Sequence, residues 1–289
     1  MEFIPFGDKL YPKILKQIEN PPIGLFCKGN LKLLSHTGLK IGVVGTRKIT
    51  QYGRDVTEML VSNLVRNDVV IISGLALGVD AMAHHVTLEN NGFAIAVLAC
   101  GVDCCLPSEN HSLYSQILKQ NGLIISEYPL SQPPNKGTFL ARNRIVAALS
   151  DGLLITEAAE GSGSLVTAEY ALHYGKKVFA VPGPINSQMA QGSLKLLKQG
   201  ATLVSNADDI LNKFEIRKSK FETNINSQIK KLKLSKEERK IVLLLSSEGL
   251  TIDEIAKKAG MSISKIFISI SNLEMLGIVK NRGGNFSLC

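Results

Sequence analysis

Four short stretches of the sequence are rich in glycine, serine or cationic residues, and each follows a buried apolar run or opens a helical pattern. They are Gly45-Thr46-Arg47-Lys48, Ser73-Gly74, KGTFLARNR at 136–144 and Ser162-Gly163-Ser164. Glycine lets a ligand approach the backbone closely, free amides at a helix start attract anions, and arginine offers a fork of donors to phosphate. The predicted chemistry is phosphate binding, and the phosphate belongs to a nucleotide, a sugar phosphate or a nucleic-acid backbone.

Residues 136–144 form a cationic cluster in the predicted sheet domain, and they include one aromatic residue. The candidate contact residues there are Lys136, Phe139, Arg142 and Asn143. An aromatic side chain can stack on an unpaired base, which contributes about 1–3 kcal/mol per base, while the cations neutralise phosphates. Two alternatives stay open: Phe139 can be a core anchor, and Arg144 can be buried in a pair with Glu157 or Glu127.

Several familiar ligand sites and enzyme sites are not supported. Glu157 and Glu160 lie beside the Ser162-Gly163-Ser164 turn and would repel a polyphosphate, so a single phosphodiester fits this turn better. The first turn is not G-x-G-x-x-G, and no acid follows the second strand to hold a ribose, which argues against NAD. No P-loop occurs, and no nucleophile, base and orienting group form a set. The sequence therefore predicts no catalytic residue and no cofactor.

Seven short apolar runs rich in Val or Ile alternate with segments long enough for a helix. They are the runs at 40–46, 69–74, 94–100, 122–128, 152–158, 177–183 and 201–205. Continuous apolar strands that alternate with helices predict an α/β fold with a mostly parallel sheet covered on both faces. The glycine-rich and polar stretches fall at the carboxyl ends of these strands, which is where such sheets bind ligands.

The pattern predicts four segments along the chain. Residues 1–38 are an N-terminal extension that packs on the sheet domain, and residues 39–212 are the sheet domain. Residues 213–234 are a basic linker. Residues 235–289 contain two capping-box patterns, at Ser235 and Thr251, three helical segments and a hairpin, which together indicate a winged helix.

The formal net charge of +8 is concentrated in one place, because residues 211–240 contain ten Lys or Arg and four acids and so carry +6. This segment either contacts phosphate non-specifically or is a solvated linker. No apolar run approaches the roughly 18 residues that span a bilayer, and the N-terminus lacks the pattern of a secretory signal. Five cysteines without a CxxC pair indicate reduced thiols and no metal site. These features favour a cytoplasmic protein without membrane contact.

Several longer stretches resemble the DNA-processing protein A (DprA/Smf) family. They include VVGTRKITQYG, SGLALGVDAMAH, VFAVPGPI and the very specific RNRIVAALSDGLLITEAAEGSGSLVTA. The resemblance covers residues up to about 210 in the right order, and the C-terminal winged-helix pattern also fits. It implies a Rossmann-like domain that binds single-stranded DNA without catalysis, forms a homodimer, protects incoming strands and loads the RecA recombinase during natural transformation. It also implies that Arg47, Lys136 and Phe139 contact the strand near the turn at 161–164.

The residue pattern and the resemblance together predict twelve nucleic-acid contacts. They are Thr46, Arg47, Lys48, Ser73, Gly74, Lys136, Phe139, Arg142, Asn143, Ser162, Gly163 and Ser164. The chain departs from the family pattern in the loop after VFAVPGPI, which is shorter than usual, and at Leu194, where Asn is common.

Two other functions remain as alternatives. A nucleotide-binding phosphoribohydrolase would use Arg142 and Glu157 on a glycosidic bond, but such enzymes have a PGGxGT turn where this chain has EGSGS. A duplex-binding regulator would use the winged helix. Its third helix offers Lys265 beside Glu274, which is a poor set of charges for a DNA groove.

Overall fold

The computed structural model describes residues 1–214, 235–245, 250–276, 278–282 and 284–288. The chain divides into two units, Met1–Glu215 and Ile216–Cys289. The predicted basic linker lies outside the described residues, except for Lys213 and Phe214.

One nine-stranded sheet organises the first unit. Its strands are β1 (Glu2–Pro5), β2 (Gly24–Gly29), β3 (Lys40–Val44), β4 (Val70–Ser73), β5 (Ala94–Val97), β6 (Leu123–Ser126), β7 (Gly152–Ile155), β8 (Lys177–Ala180) and β9 (Thr202–Leu203). The order across the sheet is β1-β2-β6-β5-β4-β3-β7-β8-β9. All pairs among β3 to β9 are parallel, so the predicted mostly parallel α/β sheet is confirmed.

The strand order reverses between β3 and β7, which are neighbours at the centre of the parallel part. From β3 the chain winds outward through β4, β5 and β6, and from β7 it winds outward in the opposite direction through β8 and β9. The loops that follow β3 and β7 therefore leave the sheet in opposite directions and open a crevice between them. In doubly wound sheets this crevice is the usual ligand site.

The first 38 residues contribute two strands to the sheet itself. β1 pairs antiparallel with β2, and β2 pairs antiparallel with β6. A short 3₁₀ turn at Lys13–Lys16 lies between these two strands and places Leu15 in the core. The sequence pattern did not reveal this pairing, because the segment is rich in proline and β2 contains Lys28 and two glycines instead of a continuous apolar run.

Seven helices cover the sheet in the first unit. They are α1 (Gln51–Arg66), α2 (Val79–Glu89), α3 (His111–Lys119), α4 (Lys136–Leu149), α5 (Gly163–His173), α6 (Gln191–Lys198) and α7 (Asp208–Leu211). Alternate strand residues face two layers. Ile95 and Val97 belong to the core that includes Ile145 of α4 and Ala168 of α5. Ala94 and Ala96 belong to the core that includes residues of α2 and α3.

The second unit has the helix and strand order of a winged helix, as predicted. Its elements are α8 (Lys236–Leu245), β10 (Leu250–Thr251), α9 (Ile252–Ala259), α10 (Ile263–Met275), β11 (Val279–Arg282) and β12 (Asn285–Leu288). Both predicted capping boxes form, between Ser235 and Glu238 and between Thr251 and Glu254. In the part of the chain that the structure describes, no helix is long and apolar enough to cross a bilayer.

Candidate nucleic-acid interface

Backbone hydrogen bonds connect the turn after β3 to the loop after β7 and to the start of α2. The Thr46 amide donates to the Glu157 carbonyl at 2.8 Å, and the Val79 amide donates to the Thr46 carbonyl at 3.1 Å. A Cβ atom at Gly45 would lie 2.5 Å from Val79 Cγ2 and 2.6 Å from the Glu157 carbonyl oxygen. Glycine is therefore required at this position so that the three loops can meet at the switch point.

A groove with a volume of about 390 Å³ opens at this crevice. Its lining consists of residues 44–48, Ala76, Asp80, Phe139, Leu140, Arg142, Asn143, residues 159–164, Thr167 and Met189. Nine of the twelve predicted contacts line it, and the three that do not are Ser73, Gly74 and Lys136. The loop ends that were separate in the sequence thus form one surface.

Arg47 and Phe139 form a platform on this groove. The Arg47 guanidinium lies 4.6 Å from the centroid of the Phe139 ring, within the range of a cation–π interaction. Arg47 is exposed and Phe139 is half-buried, so Phe139 is not a fully buried core anchor. Arg47 has no carboxylate within 4.0 Å among the described residues. Its charge is consequently available to an anion.

Arg142 lies buried at the floor of the groove. It is 4% exposed, and its Nη1 donates to the Gly74 carbonyl at 2.5 Å and to the Val97 carbonyl. These carbonyls follow β4 and end β5, so Arg142 ties two strand ends together. The Asp80 carboxylate, which accepts from the Gly74 amide at 3.1 Å, is also buried. Burial raises the pKa of Asp80, and the nearby positive charge of Arg142 opposes that rise.

Three of the twelve predicted contacts do not line the groove. Ser73 is fully buried, and its hydroxyl donates to the Val43 carbonyl at 2.6 Å. Gly74 is buried against Arg142. Lys136 is exposed at the first turn of α4, three residues before Phe139 and seven before Asn143, so it shares their helix face. Lys136 therefore lies beyond one end of the groove, along the same face.

Gly74 supplies a testable link between the backbone and the groove floor. A Cβ atom there would clash with the Arg142 guanidinium, so we expect Gly74→Ala to displace Arg142 and to destabilise the first unit by about 1–3 kcal/mol. Gly163→Ala is the matched control, because nothing lies within 4 Å of a Cβ at that position. Thermal unfolding followed by circular dichroism measures both. Equal melting temperatures for the two variants would contradict the assignment of Gly74.

The start of α5 also lines the groove. Ser162 caps this helix, and its hydroxyl accepts from the Ser164 amide at 3.3 Å and lies 2.8 Å from the Ser164 hydroxyl. Asn143 Nδ2 donates to the Gly163 carbonyl at 3.1 Å, which fixes α4 to the helix start. The first amides of a helix have no intrahelical partner, and they carry partial positive charge. This side of the groove therefore suits an anion.

The two acids near this turn have different positions. Both carboxylate oxygens of Glu157 are engaged by Thr50, from its amide at 2.9 Å and its hydroxyl at 2.6 Å, so Glu157 anchors the start of α1. Glu157 does not line the groove, whereas Glu160 does. Of Glu157 and Glu160, Glu160 is therefore the acid that can repel a polyphosphate in the groove.

A largely buried ion pair holds the middle of α4. Arg144 Nη2 lies 2.6 Å from Glu127 Oε2, which confirms one of the two pairings considered for Arg144. Its Nε donates to the carbonyl of Asn20 at 3.1 Å, so the ion pair also holds the N-terminal segment.

Met189 is a groove residue that the sequence pattern did not reveal. Its sulfur accepts a hydrogen bond from the Thr46 hydroxyl at 3.8 Å, so the loop after β8 contacts the turn after β3. Methionine carries no charge and no distinctive spacing. The one feature of the sequence that could have indicated Met189 as a groove residue is that its polar loop follows the carboxyl end of a strand.

The described thiols and acids form no metal site. No group of three or more His, Cys, Asp or Glu that could hold a metal ion occurs in the described ranges. Cys27, Cys100, Cys104 and Cys105 are free thiols, and Cys289 lies outside the described residues.

Comparison with known proteins identifies the family. The family described as DNA recombination-mediator protein A matches residues 2–215, and the DprA winged helix domain matches residues 230–285. This chain belongs to the DNA recombination-mediator protein A family. The resemblance of its sequence to the DprA/Smf family is thereby confirmed.

Individual relatives share much of their length with this DprA-family chain. The DNA processing protein DprA of Bacillus subtilis is 42% identical over 214 residues, which cover 74% of this chain and 71% of that protein. Protein Smf of Escherichia coli is 34% identical over 290 residues, which cover 98% of this chain and 76% of that protein. Similarity therefore extends through both units of the chain.

Two solved structures of the DprA family share the fold. The Streptococcus pneumoniae DprA structure is 40% identical, has a TM-score of 0.70 and covers 74% of each chain. The structure of DNA processing protein A from Helicobacter pylori is 38% identical, has a TM-score of 0.66 and covers 74% of this chain and 96% of that one. That structure gives insights into the unique single-stranded DNA binding mode of the Helicobacter pylori protein.

Proposed function

We propose that this chain binds single-stranded DNA in the groove and acts as a recombination mediator that protects incoming strands and loads RecA during natural transformation. The carrying observation is that the Arg47–Phe139 platform and the start of α5 line one groove. Arginine and an aromatic ring bind a phosphate and an unpaired base, and the helix start binds a second phosphate. The single-stranded DNA binding described for the Helicobacter pylori relative supports this function.

The size of the groove favours a single strand over a duplex. About 390 Å³ is the volume of a pocket for one small molecule, which suits individual nucleotides of a flexible strand. Lys136 lies one helical turn before Phe139, so a strand that leaves the groove along α4 passes it. In the winged helix, the described part of α10 carries Lys265 and Glu274 as its charged residues, which gives little attraction for a duplex.

The binding test is a titration of oligo-dT against a duplex of matched length at two salt concentrations. We expect tighter binding of oligo-dT and a steep fall in affinity with salt, with a slope of about −0.7 per neutralised phosphate. Duplex binding as tight as single-strand binding would contradict the proposal. In that case residues 235–289 would be the first place to look for the contact.

The proposed function requires no catalysis. The phosphoribohydrolase alternative needs Arg142 and Glu157 to reach a glycosidic bond, but Arg142 donates to two carbonyls and Glu157 accepts from Thr50. We therefore expect no free base from a panel of nucleoside monophosphates incubated with the protein. Release of free base faster than in a buffer control would support the phosphoribohydrolase alternative.

The proposed partners are RecA and a second copy of the chain, in the cytoplasm and away from the membrane. We expect this protein to accelerate RecA assembly on DNA that is coated with single-strand-binding protein.

Light scattering at several protein concentrations measures the mass of the proposed homodimer. A mass equal to one chain at all concentrations would contradict the dimer without affecting the DNA-binding proposal.

A further inference from the structure

The lining of the groove contains two kinds of side chain, which suit different parts of a DNA strand. Arg47, Lys48 and the amides at the start of α5 attract phosphates. The largest apolar side chains in the lining are those of Phe139, Leu140 and Met189. Every base has a π-face that gains from apolar and aromatic contacts, so this second set suits the bases.

Met189 is held at the groove by a hydrogen bond to the turn after β3. Its Sδ accepts from the Thr46 hydroxyl at 3.8 Å. The same hydroxyl accepts from the Lys48 amide at 3.1 Å, so Thr46 uses its proton on Met189 and a lone pair on Lys48. The thioether is thereby kept beside the turn that carries Arg47.

The loop after β8, which carries Met189, is attached to its surroundings on both sides of this residue. Before Met189, the Tyr52 hydroxyl of α1 donates to the Pro182 carbonyl at 2.5 Å. After Met189, the Gly192 amide donates to the Ala158 carbonyl at 2.8 Å. Because the loop is already ordered by these contacts, little conformational entropy is lost when Met189 contacts a ligand.

We propose that Met189 contacts a base of the bound strand and forms, with Phe139 and Leu140, an apolar subsite for bases in the groove. This inference rests on the proposed function. Met189 is half-buried, so part of its side chain is free to touch a ligand. A thioether is polarizable and makes favourable contacts with aromatic rings. Bases in a duplex are stacked on their neighbours, so the subsite accepts bases of a single strand.

The test compares oligo-dT with an abasic strand of the same length, which has the same phosphates and no bases. We expect Met189→Ala to weaken binding of oligo-dT by about three- to tenfold, which is the size of a sulfur–aromatic contact. Binding of the abasic strand should change by less than about twofold, and the salt slope for oligo-dT should stay the same, because no phosphate contact is removed. Fluorescence anisotropy at two salt concentrations measures these affinities.

Two further variants separate a base contact from other effects. Met59→Ala is the matched control, because Met59 is exposed on α1 and does not line the groove, and we expect it to leave both affinities unchanged. Met189→Leu keeps an apolar side chain but removes the sulfur that accepts from Thr46, so it should retain most of the affinity for oligo-dT. Circular dichroism checks that each variant is folded.

Three results would overturn the inference. The first is unchanged binding of oligo-dT by Met189→Ala, and the second is an equal loss on oligo-dT and on the abasic strand. The third is a loss in Met189→Leu as large as that in Met189→Ala, because Met189 would then act only by positioning Thr46. Failure of the unmodified protein to bind oligo-dT would instead reject the proposed function.

Discussion

Arg47→Ala is expected to weaken binding of oligo-dT by about ten- to a hundredfold. This change removes an exposed cation and uncovers the Phe139 ring in one step. A hydrogen bond to a charged group contributes about 1.5–3 kcal/mol, and each 1.4 kcal/mol corresponds to a factor of ten in affinity. The salt dependence should also become shallower, by about 0.7 in slope for one lost phosphate contact. Fluorescence anisotropy at two salt concentrations measures both effects.

Arg54→Ala is the matched control for this variant. Arg54 is an exposed arginine on α1 that does not line the groove, so its removal lowers the net charge equally. We expect a change of less than about threefold, because distant charges are screened at physiological salt. Arg47→Lys should fall between the two, since lysine keeps the charge but not the planar group that stacks on a ring. Equal losses in Arg47→Ala and Arg54→Ala would reject the groove as the binding site.

Glu127→Ala should destabilise the first unit by about 3–5 kcal/mol, because it leaves Arg144 buried without its partner. The two side chains are only 15% and 11% exposed, and they are 2.6 Å apart. For a unit of this size, each kcal/mol corresponds to about 2–4 °C, so the melting temperature should fall by about 6–20 °C. Thermal unfolding followed by circular dichroism measures this change.

The exposed pair between Lys195 and Glu160 provides the comparison. Its atoms are 4.0 Å apart and both side chains are more than half exposed, so Lys195→Ala should cost less than about 0.5 kcal/mol. Replacing both members of the buried pair, as Glu127→Leu with Arg144→Met, should recover much of the lost stability, because no unpaired charge remains. A loss for Glu127→Ala no larger than that for Lys195→Ala would show that the Glu127–Arg144 contact is unimportant.

The parallel sheet and the edge that carries the groove could be predicted from the sequence. Each predicted run contains one of the strands β3 to β9 and extends past its carboxyl end, because strands that are buried on both faces have continuous apolar sequences. Their carboxyl ends share one edge, so glycine, serine and arginine after β3 and β7 were expected to meet there. Their meeting in one groove follows from the reversal of strand order between these two strands.

The directions of individual side chains could not be predicted. Residue type alone made Arg142 a phosphate contact, but its guanidinium is buried and donates to two carbonyls beneath the groove. Glu157 was expected to repel a ligand, yet the start of α1 engages both of its oxygens. Such partners come from distant parts of the chain, more than 40 residues away in each case, and no local pattern indicates them.

The antiparallel pairing of β2 with β6 has a consequence for synthesis on the ribosome. β2 ends at Gly29, and its partner begins at Leu123, so almost a hundred residues must be translated before the hairpin can dock. At about 5–20 residues per second this delay is about 5–20 s. During that interval the apolar side chains of Leu25 and Phe26 have no sheet to pack into, so the newly made N-terminal strands stay open to solvent until β6 is available.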